Sequence, residues 1–278
     1  MPRTIGNPLS WTASLFSAPF TGTRTTRDFS ETVITRPLTR QDLHRALRKG
    51  WDDVMHFRSD VVFACLLYPV IGGLLIAMAL QGNLVQLLFP TIAGFALAGP
   101  VAAIGLYEMS RQREQGEAAG WTSLFDVMRS PRFGGILMLA LFHLVIFLVW
   151  IMTANMIFKL TLGTADPSMG GFVTQVMSTP AGWAMAVIGT GVGFLFAVAV
   201  LAISVMSFPM MLDRDVTLPV AVTTSVRVAR ENPVVIGTWG AIVAAGLALG
   251  SAPALIGLVI VLPVLGHATW HLYRAAIV

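Results

Sequence analysis

One apolar stretch decides the fold: residues 133–158 read FGGILMLALFHLVIFLVWIMTANMIF. The stretch contains no Asp, Glu, Lys or Arg. Because a helix of about 20 apolar residues crosses the hydrocarbon core of a bilayer, it predicts a membrane-spanning helix. Over the whole chain, hydrophobic residues make up 55% and charged residues 12%, against about 25% charged in a soluble domain. Lipid rather than water is therefore expected to surround much of the protein.

Basic residues mark the segments between the apolar stretches. Of 18 Lys and Arg residues, 17 lie in four segments, 1–60, 110–132, 213–233 and the C-terminus, and Lys159 is the exception. Three apolar blocks separate these segments, and each is long enough for two crossings. Because loops rich in Lys and Arg stay in the cytoplasm, this split predicts six spans with both termini cytoplasmic.

The predicted fold is all-α, with six transmembrane helices arranged as three helical hairpins. The predicted spans are 61–80, 84–109, 133–158, 182–211, 234–249 and 252–273. The loop 159–181, which holds Asp166, is the one sizeable feature expected on the far side. Residues 1–38 are rich in Thr, Ser, Pro and Arg and are predicted to form a disordered cytoplasmic tail, followed by a transmembrane domain over 39–278.

An amphipathic segment precedes each predicted hairpin. In the first segment Thr39 and Asp42 resemble a capping box, which predicts the start of a helix. The apolar residues of that segment recur at helical spacing: Leu43, Leu47, Trp51, Val54 and Met55. Asp52 and Asp53 are among the charged residues assigned to its other faces. This helix is expected to lie along the membrane surface or to dock under the bundle.

The second and third amphipathic segments cover 121–128 and 217–229. They end at Ser130-Pro131 and Asn232-Pro233, where Ser and Asn suit N-caps and Pro suits the first helical position. Three units, about 39–112, 119–215 and 216–278, are therefore predicted to repeat one design.

Histidines at membrane depth are candidates for chemistry, because ionisable groups are costly there. His143 lies near the middle of the third predicted span, and His267 and His271 stand four residues apart on one face of the sixth. Together they are weak candidates for metal or haem ligands. Their depths differ, and no carboxylate is expected at a matching depth. Hydrogen-bonded packing is therefore the preferred interpretation, with His271 at the headgroup boundary and His267 bonded to a neighbouring helix.

Charged and aromatic residues gather at the ends of the predicted spans. Eight are predicted to be interfacial or structural: Trp51, Glu108, Arg111, Asp213, Arg214, Asp215, Trp270 and Tyr273. Such charges either latch neighbouring helices, bind lipid headgroups or form solvated ion pairs worth about 0–1 kcal/mol each.

Three stretches carry a resemblance to a known family. They are GPVAAIGLYEMSR at 99–111, SFPMMLDRDV at 207–216 and LPVLGHATWHLYR at 262–274. Over roughly residues 40–275 the chain resembles a family of bacterial integral membrane proteins catalogued as a domain of unknown function. Some members carry the loose label of a putative cytochrome c oxidase subunit. The resemblance implies no catalytic residues for this chain.

No recognisable motif for a Ser-His-Asp triad, a phosphate-binding loop or a carboxylate pair is present, so an enzyme is not predicted. The preferred interpretation is a non-catalytic accessory, assembly or scaffold component without a cofactor. The alternative is a small-solute or lipid transporter or channel built from three hairpins, and the third is a redox or haem/copper-associated protein. Membrane lipids are the expected partners, with other membrane subunits, including a respiratory complex, suggested by the family label alone. Nucleic acid is not expected, because the basic residues flank spans.

Overall fold

A computed structural model describes most of the chain from residue 33 onward. The described residues are 33–57, 66–81, 84–97, 99–120, 122–164, 168–253 and 255–278. Several predicted features lie outside them: residues 1–32 of the tail, residues 61–65 of the first span, residue 121 of the second amphipathic segment, and Asp166.

All regular elements among these residues are helices, which confirms the predicted all-α class. The thirteen α-helices of the described chain are α1 Arg40–His56, α2 Leu67–Gln81, α3 Leu88–Leu97, α4 Gly99–Ala102, α5 Ile104–Glu114, α6 Ser123–Arg129, α7 Phe133–Thr161, α8 Met169–Ser178, α9 Pro180–Ser204, α10 Ser207–Asp213, α11 Leu218–Glu231, α12 Pro233–Ser251 and α13 Leu258–Ala276. A 3₁₀ turn, Val85–Leu87, precedes α3.

Three runs of the described chain are long and apolar enough to cross a membrane. They are α7, the run Pro180–Asp213 that joins α9 and α10, and α12. Two shorter apolar helices, Pro69–Met78 and Val85–Gly94, lie before them. The stretch 133–158 thus forms the helix that its composition predicts, because an apolar segment in lipid must satisfy its backbone internally.

Two of the predicted spans are broken. The span predicted over 84–109 is not one regular helix among the described residues, because it begins with the 3₁₀ turn and turns at Ala103, between α4 and α5. Residue 98, between α3 and α4, lies outside the described residues. The span predicted over 182–211 also breaks between α9 and α10. Pro209 cannot donate to the carbonyl of Val205, four residues earlier, which ends the regular helix there.

The loop predicted over 159–181 contains a further helix, α8. Ser168 caps it, because its hydroxyl accepts a hydrogen bond from the Gly171 N–H at 3.1 Å. Thr179 caps α9 in the same way through Gly182 at 3.0 Å. Two adjacent side-chain caps therefore set the turn from α8 into α9.

Helix α1 begins as the capping box predicts. The Thr39 hydroxyl accepts from the Asp42 N–H, and the Asp42 carboxylate accepts from the Thr39 N–H. The helix then packs along α13 so closely that a Cβ added at Gly50 would lie 2.6 Å from the backbone nitrogen of Ala268. Helix α1 is therefore part of the protein core on one side.

The predicted caps before α7 and α12 behave differently. Helix α7 begins at Phe133 rather than at Pro131, and the Ser130 hydroxyl accepts from the Arg132 N–H instead of capping the helix. Helix α12 begins at Pro233 as predicted, but the Asn232 side chain makes no cap bond. Asn232 accepts from the Leu38 N–H at 2.7 Å, which ties the segment before α1 to the bundle.

The two ends of the described chain also pair. Thr35 and Ile277 form an antiparallel bridge, and the Val278 N–H donates to the Ile34 carbonyl at 3.1 Å. The predicted disordered tail therefore does not extend through residues 33–38, which are held against the C-terminus. The backbone donors of Arg36 and Leu38 are both satisfied by this arrangement.

The most tightly buried part of the core lies at the charged ends of the helices. The side chains with 0% exposure include Met206, Met210, Trp270, Leu272 and Tyr273, all in α10, in α13 or beside them. By contrast, only 6% of the most apolar 18-residue window of the run Pro180–Asp213 is buried within the protein. Packing is thus dense where polar residues converge and open along the apolar helices.

Candidate functional site

A buried carboxylate on α1 organises the site. Asp53 is 4% exposed, and its Oδ2 accepts from the Ser110 hydroxyl at 2.6 Å and lies 2.8 Å from His271 Nε2. The Arg113 guanidinium donates to the other carboxylate oxygen. Donors from α5 and α13 therefore converge on one side chain of α1, and buried charges need such partners.

Ser110 extends this network to His267, whose side chain is completely buried. The Ser110 Oγ lies 2.7 Å from His267 Nδ1. Because Ser110 gives its proton to the Asp53 carboxylate, we assign the hydrogen of this second bond to His267 Nδ1. The imidazole also stacks on Phe57, with ring centroids 6.0 Å apart. We call Asp53, Ser110, Arg113, Glu114, His267 and His271 the polar cluster.

The polar cluster continues to the protein surface through α13. His271 Nδ1 lies 3.4 Å from Glu114 Oε1, and Glu114 Oε2 lies 3.1 Å from Arg274 Nε. Asp213 in α10 then accepts from the Tyr273 hydroxyl at 2.7 Å and lies 3.3 Å from Arg274 Nη1. These contacts bring together the ends of the three stretches that carry the family resemblance.

The electrostatics of the polar cluster keep Asp53 ionised. Burial by itself raises the pKa of the Asp53 carboxyl, but hydrogen bonds from His271 and Ser110 outweigh it and lower the pKa from 3.8 to about 2. The pKa of Glu114 is also lowered, because the bond from His271 and the charge of Arg274 outweigh burial. Asp53 is therefore a buried anion at neutral pH.

This lowered pKa predicts a loss of stability in acid. A carboxyl group whose pKa is depressed by folding stabilises the fold above its unfolded pKa, and that contribution disappears as the pH falls through its folded pKa. We expect the free energy of unfolding to decrease between about pH 4 and about pH 2, and to depend less on pH in that window in Asp53→Asn. Detergent-solubilised protein unfolded at a series of pH values provides the measurement. Identical pH profiles for the two proteins would contradict the assignment.

The order of the three side chains differs from that of a serine hydrolase. In a serine hydrolase the histidine takes the serine proton and stands between serine and carboxylate. Here Ser110 stands between His267 and Asp53, and its side chain is 0% exposed. Within the described part of the chain, no group of three or more His, Cys, Asp or Glu is arranged to hold a metal ion.

A second set of polar contacts lies beside the polar cluster. Arg111 donates to both carboxylate oxygens of Glu108, at 2.6 and 2.8 Å. Gln112 donates to Glu108 at 3.0 Å and accepts from the Ser123 hydroxyl at 2.6 Å. The predicted pair Glu108 and Arg111 therefore lies within the end of α5, and Gln112, which donates to Glu108, connects this end to α6.

The other predicted residues divide between the surface and the core. Trp51 is 47% exposed, whereas Trp270 and Tyr273 are fully buried with ring centroids 5.5 Å apart. Arg214 Nε lies 4.0 Å from the Asp213 carboxylate, and neighbouring Asp215 is exposed. Trp270 therefore packs inside the protein, whereas Trp51 and Asp215 lie on its surface.

The three histidines do not form one site. His143 is buried in α7, where its Nδ1 lies 2.9 Å from the Leu139 carbonyl and its ring meets the Phe208 ring at 5.0 Å. His267 and His271 instead share the polar cluster, and His271 is buried among protein side chains. Its place at the headgroup boundary stays a prediction.

The expectation that no carboxylate reaches the depth of His267 and His271 is also wrong, because α1 supplies Asp53. Its assignment to a polar face of α1 is wrong for the same reason. Its spacing in the sequence indicates burial: Gly50 follows Ala46 by four residues and Asp53 follows Gly50 by three, so all three lie on the buried face of α1. Ser110, Arg113 and Glu114 were also missed as partners, because their contacts with Asp53 and α13 are tertiary.

The described chain is all-helical and contains three apolar runs that are long enough to cross a membrane. Residues 88–213 match the family model described as "Predicted integral membrane protein (DUF2189)". The resemblance to a membrane-protein family of unknown function is thereby confirmed over those residues, a shorter range than the expected 40–275. Searches of curated proteins and of solved structures found no match.

Proposed function

We propose that this protein is a non-catalytic accessory, assembly or scaffold component of a complex in the bacterial inner membrane. The observation that carries the proposal is the small-residue stripe of α9, formed by Gly189, Gly193 and Ala197. Gly193 packs against the Trp150 indole, with an added Cβ 2.9 Å from the ring, whereas nothing described lies within 4 Å of one added at Gly189. Small residues at this spacing let a second helix approach closely.

The polar cluster supports the same role. Its charged groups bond to one another and fix α1, α5 and α13 in place. A rigid charged end combined with exposed apolar helices suits a subunit that presents helices to a partner.

A test substitutes the open position of the stripe. Gly189→Leu fills the space that a partner helix would use, and Gly237→Leu makes the same change at another open position, on α12. Membranes are cross-linked, the tagged protein is purified in mild detergent, and co-purifying subunits are quantified by mass spectrometry. We expect a stoichiometric partner with the wild type and Gly237→Leu, and a clear loss with Gly189→Leu. Equal recovery with both variants, or no partner with the wild type, would refute the proposal.

The proposed topology has six spans as three hairpin repeats, with both termini in the cytoplasm. The described contacts support a common side for the basic segments. Asp213 meets Arg274, Gln112 meets Asp126 at 3.3 Å, and Arg132 donates to the Leu212 carbonyl at 2.8 Å. Segments that contact each other in this way are on the same side of a membrane, and their Lys and Arg content favours the cytoplasm.

Cysteine labelling tests this topology. In a Cys65→Ser background, Gly170→Cys on α8 is expected to react with a membrane-impermeant maleimide from the periplasm, and Arg48→Cys only after the membrane is opened. Both positions are exposed, so access to the reagent depends on the side of the membrane. Labelling of Gly170→Cys from the cytoplasmic side alone would invert the arrangement.

A second candidate function is transport of a small solute or lipid. The second predicted span turns at Ala103, between α4 and α5, which favours transport because discontinuous helices form substrate sites in transporters. Purified protein in liposomes distinguishes the two roles. Solute or lipid movement by the protein alone would favour transport, and a requirement for a partner subunit would favour the accessory role.

A further inference from the structure

A polar cavity of about 400 Å³ lies beside the polar cluster. It is formed by the end of α5 and the loop after it, by α6 and the turn that follows it, and by Leu212 of α10. Its charged lining consists of Glu108, Arg111, Glu117, Asp126 and Arg132. A volume of this size is at the lower end of the range of small-molecule sites, roughly 300–1,000 Å³.

Hydrogen bonds within the protein hold part of the cavity wall in place. Glu108 is 3% exposed, and Arg111 and Gln112 both donate to its carboxylate. Gln112 is itself held by Ser123 and reaches Asp126 at 3.3 Å. Buried polar groups that are hydrogen-bonded in this way form a rigid surface, which lowers the entropy lost on binding.

The charges that face the cavity have both signs. Arg111 is neutralised by Glu108, with which it forms two hydrogen bonds. The remaining charged lining is Arg132, which also donates to the Leu212 carbonyl at 2.8 Å, together with the acids Glu117 and Asp126. Arginine binds phosphate through paired N–H groups, whereas carboxylates accept hydrogen bonds from an ammonium group. A ligand that carries both groups is therefore favoured over a purely anionic one.

We propose that this cavity binds a phosphoethanolamine group, with the phosphate at Arg132 and the primary ammonium at Glu117 and Asp126. Phe125 and Met128 of α6 are exposed and flank the lining residues Asp126 and Val127 in sequence. They provide apolar surface that the acyl chains of a lipid can contact. The group could come from a phospholipid headgroup or from a soluble phosphoethanolamine compound.

Calorimetric titration of the full-length protein in detergent tests the proposal. The probes are dihexanoyl phosphatidylethanolamine, the matching phosphatidylcholine and phosphatidylglycerol, and glycerophosphoethanolamine. We expect the ethanolamine lipid to bind about tenfold more tightly than the other two lipids. Phosphatidylcholine has no N–H donors on its ammonium group, and phosphatidylglycerol has no cationic group. Comparable affinity for glycerophosphoethanolamine would identify a soluble ligand, and much weaker binding would identify the lipid.

Variants locate the site. Glu117→Gln with Asp126→Asn is expected to weaken ethanolamine binding about tenfold, and Arg132→Gln to weaken it by a similar factor. Both acids are exposed side chains, so these changes leave the core intact. Asp52→Asn, an exposed acid on α1, is the control and should bind as the wild type does. Equal affinity for all three lipids, no binding of either ethanolamine compound, or unchanged binding in the cavity variants would overturn the proposal.

Discussion

Asp53→Ala is expected to lower the free energy of unfolding by about 3–5 kcal/mol, the cost of removing one partner from a buried ion pair. The carboxylate is 4% exposed and accepts from Ser110, His271 and Arg113. Its loss leaves three donors of two other helices without their acceptor. Because those bonds connect α1 to α5 and α13, α1 should also become sensitive to protease.

The neighbouring acid provides the control for this prediction. Asp52 is exposed, one residue away on the same helix, so Asp52→Ala removes an equal charge without opening the core. Unfolding in mixed micelles with increasing sodium dodecyl sulfate measures both variants. Surface substitutions of this kind usually change stability by about 0.5 kcal/mol or less. If the two variants lost equal stability, Asp53 would not have the role assigned to it.

Gly50→Ala is expected to destabilise the protein by about 1–3 kcal/mol, as overpacking of a tight contact does. An added Cβ would lie 2.6 Å from the Ala268 nitrogen and 2.8 Å from its Cα. These are backbone atoms of α13, so a change of side-chain rotamer cannot relieve the clash. Helix α1 would have to move away from α13, which would also lengthen the bonds of the polar cluster.

A Gly→Ala substitution at a glycine with open space around it should raise the free energy of unfolding instead of lowering it. Gly237 lies within α12, and a Cβ added there meets nothing described within 4 Å. Replacing a glycine by alanine inside a helix stabilises by roughly 0.5–1 kcal/mol, because the unfolded chain loses freedom. Thermal unfolding in one detergent compares the pair. A Gly50→Ala protein as stable as Gly237→Ala would show that α1 does not contact α13 so closely.

The local features of this fold were predictable from neighbouring residues. The run at 133–158 and the capping box at Thr39 and Asp42 both depend on interactions within one helix, and both formed as expected. The helix breaks were harder to predict, because prolines such as Pro100 and Pro209 are tolerated within many membrane helices. Whether such a helix bends or breaks depends on which groups form hydrogen bonds with the backbone atoms that the break leaves unpaired. Here the Met206 N–H beside the break donates to the Ser225 hydroxyl of α11 at 3.1 Å.

The candidate site was less predictable than the helices. His267 and His271 were recognised as a pair on one helical face, but their partner Asp53 lies more than 200 residues earlier. From the sequence alone, Asp53 and the neighbouring Asp52 are predicted to be two solvent-exposed acids. Periodicity identifies the face of a helix and not the element that covers it, so the contacts of Ser110 and Arg113 followed only from the tertiary fold.

If Asp53 holds α1 against the bundle through His271, the two side chains are energetically coupled. A double-mutant cycle measures this coupling. The free energy of unfolding is measured for the wild type, Asp53→Ala, His271→Ala and the double variant. Because the Asp53 carboxylate and His271 Nε2 are 2.8 Å apart, we expect a coupling energy of about 1–3 kcal/mol, so that the double variant loses less stability than the sum of the two single variants. Additivity within about 0.5 kcal/mol would show that Asp53 does not hold α1 through His271.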